Sequence, residues 1–205
     1  MFDGQVGEVL GGRVGEIIVL RHGQTEWSLS GQHTGVTDLP LLPEGEDQAR
    51  ALRTSLAGRP FVEVWVSPRQ RARRTAELAG LTATGIDDDL VEMDYGGYEG
   101  RTTADISAEL GRTWSVWRDR GPAGSPGESP ADVGVRVDRV LDRVRPRLDD
   151  GDVALVAHGH VLRVLTARWL RLDPEAGALF ALPAGSYGVL GHEHARPVLT
   201  AWGMR

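Results

Sequence analysis

Two histidines stand directly behind short apolar runs near opposite ends of the chain. His22 follows residues 17–20 and Arg21, whereas His158 follows residues 153–157, and a glycine comes after each histidine. Imidazole can act as a nucleophile or as an acid–base group near neutral pH. A following glycine lets another backbone or a ligand approach closely. The repeated pattern predicts that both histidines emerge at one edge of a sheet and share a site.

A third apolar run, residues 61–66, ends at Ser67-Pro68 and leads into four closely spaced arginines, Arg69, Arg71, Arg73 and Arg74. Helices usually begin with acidic residues, so arginines in a first turn favour a functional role for at least one of them. Guanidinium groups bind phosphate oxygens bidentately. The chain has 23 basic side chains and all of them are arginines, so an anion site here depends on arginine, histidine and main-chain donors.

The apolar periodicity predicts which elements hold these residues. Strands are expected at 17–20, 61–66, around Ile86, 153–157, 179–181, 187–190 and 198–202. Helices are expected at 43–56, 69–79, 103–110, 114–118, 131–148 and 161–170. Strands that alternate with helices indicate an α/β protein, a three-layer α/β/α sandwich with a mostly parallel central sheet.

Length and composition exclude several classes of protein. The 205 residues suit one domain, which we place at residues 16–205 behind a flexible leader of residues 1–15. The leader lacks the features of a secretory signal, so a cytoplasmic location is expected. A net charge of -6 disfavours nucleic acid as a partner, the absence of cysteine excludes thiolate chemistry, and no apolar run is long enough to cross a membrane.

Five motifs resemble, in their order, those of the histidine phosphatase superfamily, the phosphoglycerate mutase-like proteins. They are Leu20-Arg21-His22-Gly23-Gln24-Thr25-Glu26-Trp27, Gly31-Gln32-His33-Thr34-Gly35, residues 67–76, residues 92–100 and Ala157-His158-Gly159-His160. Together they cover nearly the whole chain after Gly15. The resemblance implies the phosphoglycerate mutase-like fold and a reaction through phosphohistidine.

The resemblance also implies roles for individual residues. His22 is expected to be the nucleophile, Glu92 the general acid, and Arg21, Arg71 and His158 the groups around the phosphoryl unit. Further contacts to phosphate or substrate are expected from Gln24, Ser28, Thr34, Gly35, Tyr95 and Gly159. His33 and His160 are interpreted as more typical of exposed positions, and Trp114 and Trp117 as packing residues.

Elementary chemistry agrees with these roles. Phosphoryl transfer needs positioning and positive charge around the transferred oxygens, which Arg21 and Arg71 supply. The same arginines should keep His22 neutral by repelling an added proton. A partly desolvated Glu92 should have a raised pKa, which suits an acid that protonates the leaving group. No metal or other cofactor is expected, because the histidines show no metal-binding spacing.

A phosphatase is favoured over a mutase, because residues 92–100 have the phosphatase-like pattern and no lysine is present to hold a phosphoglycerate carboxylate. Residues 21–41 are similar to the sedoheptulose-bisphosphatase-like and small bacterial acid phosphatase branches, which implies a small phosphorylated metabolite, a sugar phosphate or bisphosphate, as substrate. Arg118, Arg163 and the loop at 121–130 are candidate contacts for a second anion. Phosphoglycerate mutase activity, a phospho-ligand-binding pseudo-phosphatase and a homodimer stay open.

Overall fold

A six-stranded sheet forms the centre of the protein in a computed structural model that describes residues 14–205. The strand order is β3-β2-β4-β1-β5-β6. The strands are β1 (Ile17–Arg21), β2 (Phe61–Val66), β3 (Gly85–Ile86), β4 (Asp152–Ala157), β5 (Tyr187–Glu193) and β6 (Arg196–Met204). The pairs β1–β4, β4–β2 and β2–β3 are parallel, whereas β5 and β6 run antiparallel to their neighbours. The prediction of a mostly parallel sheet is confirmed.

Helices cover both faces of this sheet. They are α1 (Glu26–Ser30), α2 (Pro43–Ser55), α3 (Gln70–Leu78), α4 (Thr103–Leu110), α5 (Pro130–Val144) and α6 (Gly159–Trp169). Ile17 and Val19 of β1 belong to the core beneath α5 and α6, and Ile18 and Leu20 to the core beneath α2 and α3. Alternate side chains of a strand point to opposite faces, so the all-apolar β1 is buried on both sides. This is the predicted three-layer sandwich.

Two predicted elements are wrong. Residues 114–118 form a single turn rather than a helix. The Asp119 carboxylate accepts the Ser115 N–H at 2.8 Å and closes this turn. Residues 179–181 are not a strand: Leu179 ends a 3₁₀ helix, Pro174–Leu179, and residues 180–181 have no regular secondary structure. Helix α5 also ends four residues earlier than predicted, at Val144, because Pro146 cannot continue an α-helix.

The expected leader falls mainly on residues 1–13, which lie outside the described residues. Its last residue, Gly15, is buried and donates its N–H to Leu148 O at 2.7 Å. Among residues 14–205 no helix is long and apolar enough to cross a membrane.

The sheet brings the expected site residues to one edge. Arg21 at the end of β1 lies in register with Ala157 at the end of β4. Val66 at the end of β2 lies in register with Val156. Because the three strands are parallel and adjacent, the residues that follow them, His22, His158 and Ser67, emerge side by side.

Candidate active site

His22 is fixed by hydrogen bonds from both neighbouring strand connections. Its main-chain N–H donates to Ala157 O at 3.0 Å, and its carbonyl accepts the Gly185 N–H at 2.9 Å. The ring Nδ1 lies 2.7 Å from Gly23 O. A carbonyl oxygen only accepts, so Nδ1 carries the proton and Nε2 keeps an unprotonated lone pair. His22 therefore has the tautomer that a nucleophilic Nε2 requires.

The surroundings of His22 keep it neutral. Burial has the largest effect, and Arg71 and then Arg21 add to it, so that the pKa of His22 falls from 6.5 to about 3. The hydrogen bond to Gly23 and the carboxylate of Glu92 act in the opposite direction and are weaker. The expectation of a neutral His22 is confirmed in direction, with burial as a larger cause than the two arginines.

Arg21 has donors free to receive an anion. Its Nη1 donates to Leu182 O at 2.6 Å, but its buried Nε has no hydrogen-bond partner among the described residues. Gly159 packs against the guanidinium, since a Cβ there would lie 3.2 Å from Arg21 Cζ. A buried N–H without a partner is costly unless a ligand satisfies it. An oxyanion bound beside His22 would do so.

Arg71, His158 and Ser67 form a buried chain beneath His22. Arg71 Nε donates to His158 Nδ1 at 3.1 Å, and His158 Nε2 lies 2.7 Å from Ser67 Oγ. An arginine always donates, so Nδ1 is the acceptor and the neutral ring carries its proton on Nε2. Burial, followed by the charge of Arg71, lowers the pKa of His158 well below 6.5. His158 lies beside His22, with ring centroids 5.1 Å apart, and both of its nitrogens are bound by protein.

Glu92 is held at the N-terminus of α6 by main-chain donors. Its carboxylate accepts N–H groups from Met93 at 2.9 Å, His160 at 3.0 Å and Val161 at 2.9 Å. Burial acts to raise the pKa of Glu92, but the ring of His160, followed by the ring of His158 and the His160 N–H, lowers it well below 4.5. The expectation of a raised pKa for Glu92 is therefore wrong, because the groups around its carboxylate stabilise the ionised form.

His160 and Tyr95 extend the site outward from Glu92. The Tyr95 hydroxyl lies 2.7 Å from His160 Nδ1, and the same nitrogen lies 3.8 Å from Glu92 Oε2. At 3.8 Å the ring nitrogen is beyond hydrogen-bond distance of the carboxylate. Burial, with the charge of Glu92 next, raises the pKa of Tyr95 well above 10.0, so Tyr95 is a neutral hydroxyl.

His33 was expected at an exposed position, and the structure corrects this. Its ring is buried, lies 4.6 Å from the Tyr95 ring between centroids and 6.1 Å from that of His160, and its Nε2 is 3.1 Å from Thr103 Oγ1. Burial, followed by the charge of His160, lowers the pKa of His33 to about 4. His160 is likewise partly buried. One sequence feature pointed to His33 and His160: each lies within a motif that also contains expected site residues.

These groups surround a cavity of about 140 Å³. Its lining residues are Arg21, His22, Trp27, Ser28, Gly31, Gln32, His33, Thr34, Glu92, Tyr95 and His160. Arg71 and His158 have no exposed surface and lie in the layer beneath it. A wider groove of about 650 Å³ runs along α3 past Arg73 and Arg74. The groove is lined by neither His22 nor His158 nor Glu92, so the smaller cavity is the candidate active site.

The remaining expected contacts divide into two groups. Thr34 and Ser28 line the cavity, although Ser28 Oγ already accepts the Thr25 N–H and donates to Thr25 O in the cap of α1. Gln24 and Gly35 do not line it; Gln24 donates its main-chain N–H to Gln48 Oε1 at 2.9 Å, and Gly35 is buried against Met93. Gly159 reaches the site only through its contact with Arg21.

The candidates for a second anion contact differ in their positions. Arg163 donates Nε to Gly177 O and Nη2 to Ala178 O, both at 3.0 Å, and lies 4.5 Å over the Trp117 ring. Trp117 in turn contacts His160, with centroids 5.1 Å apart, so Arg163 stands behind one wall of the cavity. Arg118 is exposed. The loop at 121–130 is tied down where Gly97 N–H donates to Ser125 O at 2.9 Å.

No metal centre is apparent among residues 14–205, since no group of three or more histidine, aspartate or glutamate side chains in that range is arranged to hold an ion. The positive charge at the cavity comes instead from arginine.

Known proteins share both the sequence and the fold. A family model of the histidine phosphatase superfamily (branch 1) matches residues 17–205. An acid phosphatase of Mycobacterium tuberculosis is 39% identical over 198 residues, which cover 95% of each chain. The sedoheptulose 1,7-bisphosphatase of Saccharomyces cerevisiae is 37% identical over 185 residues, which cover 76% of this chain and 67% of the yeast protein.

Among solved structures, that of an open reading frame of Mycobacterium tuberculosis superposes with a TM-score of 0.87 at 38% identity, covering 94% of this chain and 98% of that one. The residues matched by the family model include His22, Arg71 and His158. The chain belongs to the histidine phosphatase superfamily.

Proposed function

We propose that the protein is a metal-independent phosphatase that hydrolyses small phosphomonoesters through a phosphohistidine on His22. The observation that carries the proposal is the pairing of His22 with Arg21 at one cavity. His22 turns its protonated Nδ1 to Gly23 O and leaves Nε2 as the free nitrogen, while Arg21 has a buried Nε without a partner among the described residues. A nucleophile next to unsatisfied cationic donors suits a phosphoryl group.

In the first half-reaction His22 Nε2 attacks phosphorus and the ester P–O bond breaks. Arg21 binds the phosphoryl oxygens, and Arg71 adds positive charge from the layer beneath. The leaving alkoxide needs a proton, and Glu92 lines the same cavity. Glu92 is ionised before substrate binds, but the negative charge of a bound phosphoryl group raises its pKa. Glu92 thus takes up a proton on binding and gives it to the leaving group.

In the second half-reaction water attacks the phosphohistidine. Glu92, again ionised, accepts a proton from this water, the P–N bond breaks, and its electron pair returns to His22 Nε2. Inorganic phosphate leaves and the neutral histidine is restored. The His160 ring and N–H, which lower the pKa of Glu92, favour the ionised form that this step requires.

The substrate class is a small sugar phosphate or bisphosphate. The cavity of about 140 Å³ takes little more than a phosphoryl group and the first atoms of the alcohol. The relatives include an acid phosphatase and a sedoheptulose 1,7-bisphosphatase. For a bisphosphate, Arg163 is the better second candidate, because it stacks on Trp117, which contacts the lining residue His160, whereas Arg118 is exposed. Arg163→Ala should raise KM for bisphosphates more than for monophosphates, whereas Arg118→Ala should leave both unchanged.

The function is tested by phosphate release in EDTA at pH 5 to 8 from sugar monophosphates, sugar bisphosphates, 3-phosphoglycerate and an aryl phosphate. Turnover of one class that disappears in His22→Ala supports the proposal. Interconversion of phosphoglycerates with a bisphosphoglycerate primer, without release, would make the protein a mutase. If neither assay gives a product but the protein still binds phosphate, the protein is a phospho-ligand-binding protein.

A cytoplasmic location and a homodimer complete the proposal. Cell fractionation tests the first, and light scattering of the purified protein tests the second.

A further inference from the structure

The two terminal nitrogens of Arg71 are oriented by the backbone of one loop, whereas its Nε bonds to His158 and the Asp38 carboxylate lies 3.7 Å from Nη1. Its Nη1 donates to Thr37 O at 2.8 Å, and its Nη2 donates to Thr34 O at 3.1 Å and to Gly35 O at 3.3 Å. The side chain is fully buried, so no water replaces these acceptors. A buried guanidinium takes the position that its acceptors allow. The position of the charge beneath His22 therefore depends on the conformation of residues 34–37, the 34–37 loop.

The 34–37 loop has no helix or strand of its own to hold it. The carboxylate of Glu99 fills that role. The Gly35 N–H donates to Glu99 Oε1 at 2.9 Å and Oε2 at 3.0 Å, and the Thr37 N–H donates to Oε1 at 2.9 Å. Hydrogen bonds from N–H groups to a carboxylate are stronger than those between neutral groups. One side chain thus holds the peptide unit that contains the Thr34 carbonyl and the peptide unit that lies between the Gly35 and Thr37 carbonyls.

The fit around Glu99 leaves the loop little freedom. A Cβ at Gly35 would lie 2.4 Å from Met93 O and 3.0 Å from Glu99 Oε2, so the loop is pressed against this carboxylate. The next residue, Gly100, donates its N–H to His33 O at 2.9 Å and fixes the backbone that carries Glu99. Among residues 14–205, Glu99 forms no ion pair with an arginine. Its carboxylate instead accepts the main-chain N–H groups of the 34–37 loop.

We propose that Glu99 is a positioning residue for phosphoryl transfer: it holds the 34–37 loop so that the loop carbonyls orient Arg71 beneath His22. This inference rests on the proposed function, since it assigns Arg71 to the stabilisation of the phosphoryl group. Glu99 itself does not line the cavity. It acts on the reaction through Arg71.

The test compares Glu99→Gln with Glu109→Gln, a matched change at an exposed glutamate that pairs with Arg101. The amide keeps the shape of Glu99 but presents an NH₂ group to a main-chain N–H. We expect kcat on an aryl phosphate to fall about 10- to 100-fold in Glu99→Gln, with a smaller change in KM, because small displacements of a charged group act mainly on the transition state. Glu109→Gln should match the wild type.

A double-mutant cycle separates positioning from general structural damage. If Glu99 acts through Arg71, Glu99→Gln has little further effect in an Arg71→Ala background. Two independent, multiplicative losses would overturn the inference, as would unchanged kcat and KM in the single variant. Should Glu99→Gln fail to fold, Glu99→Asp, which keeps the charge and shortens its reach, is expected to show the same loss to a smaller degree.

Binding of inorganic phosphate, measured by calorimetry, distinguishes failure of this inference from failure of the proposed function. Weaker binding in Glu99→Gln but not in Glu109→Gln supports the role of Glu99 even if no ester is turned over. Equal binding in all three proteins, combined with normal turnover, would overturn the role of Glu99 and leave the proposed function intact.

Discussion

Arg71 donates its Nε–H to His158 Nδ1 at 3.1 Å, and this contact determines the state of both residues. The imidazole must be neutral to accept, and the guanidinium must keep its orientation to donate. His158 was expected beside the phosphoryl group as a direct contact. With Ser67 on its other nitrogen, His158 in the substrate-free protein contacts Arg71 and Ser67 and does not line the cavity.

His158→Ala should therefore lower kcat on a phosphomonoester by about 100-fold, a loss typical of a disrupted charge-stabilising donor. It also leaves Arg71 Nε buried without a partner. Ser67→Ala removes only the outer contact and should cost within about tenfold, since a neutral hydrogen bond contributes roughly 1 kcal/mol. Steady-state kinetics of both variants check the order. A Ser67→Ala defect as large as that of His158→Ala would contradict it.

Glu92→Gln tests the acid in the first half-reaction. We expect kcat to fall by about 10²- to 10⁴-fold on an alkyl phosphate, whose alkoxide needs a proton as it departs. An aryl phosphate has a good leaving group and should lose less. The comparison of the two substrates in wild type, Glu92→Gln and the surface control Glu109→Gln is the measurement. Equal losses on both substrates would show that Glu92 does not protonate the leaving group.

Acidification should destabilise the fold through its buried histidines. The pKa values of His22, His33 and His158 are all lowered in the folded state, to about 3 for His22 and about 4 for His33. As pH falls below 6.5 the unfolded chain binds protons that the folded chain does not, so stability falls with pH. Each histidine should contribute roughly 1 kcal/mol between pH 6 and pH 5.

Urea denaturation at these two pH values provides the measurement. His33→Asn should reduce the difference in unfolding free energy between pH 6 and pH 5, whereas His192→Asn, at an exposed position, should not. The pKa of Glu92 is lowered well below 4.5, so it is ionised in the folded state at both pH values and only slightly protonated in the unfolded chain at pH 5, which makes its contribution small compared with those of the histidines. A stability that is constant from pH 6 to pH 5 would contradict the assignment of neutral buried histidines.

Gly23 has no room for a side chain. A Cβ there would lie 2.1 Å from Gly45 O in the first turn of α2, and both atoms belong to rigid backbone. Gly23→Ala should destabilise the protein by about 1 to 3 kcal/mol through overpacking and move His22. Gly124→Ala is the control, because a Cβ at Gly124 meets nothing within 4 Å. Thermal unfolding and kcat of both variants decide, and an unaffected Gly23→Ala would show that α2 can move away.

The sequence was sufficient to predict features that depend on local pattern. The apolar runs before His22 and His158 predicted the parallel strands, and parallel neighbours necessarily present their final residues at one edge. Arg21 was predicted in the same way, since it ends β1. The spacing of apolar residues likewise predicted helices α2, α3 and α6 to within a few residues at their ends.

Features that depend on distant partners were not predictable. Glu92 is ionised because the ring and N–H of His160, which the fold brings to it, lower its pKa. His33 is buried because its N–H donates to Arg101 O. The apolar residues 179–181 resemble a strand, but Arg163 takes the carbonyls of Gly177 and Ala178 just before them. Local sequence contains none of these pairings.

Trapping the phosphoenzyme tests the proposed phosphohistidine on His22 most directly. Wild-type protein is mixed with ³²P-labelled phosphomonoester, quenched in denaturant at alkaline pH, where a phosphoramidate survives, and digested to locate the label. We expect label on His22 in the wild type and none in His22→Ala. More label is expected in Glu92→Gln, because this variant hydrolyses the phosphohistidine more slowly. Turnover by the wild type with no label on His22, or by His22→Ala at an undiminished rate, would contradict it.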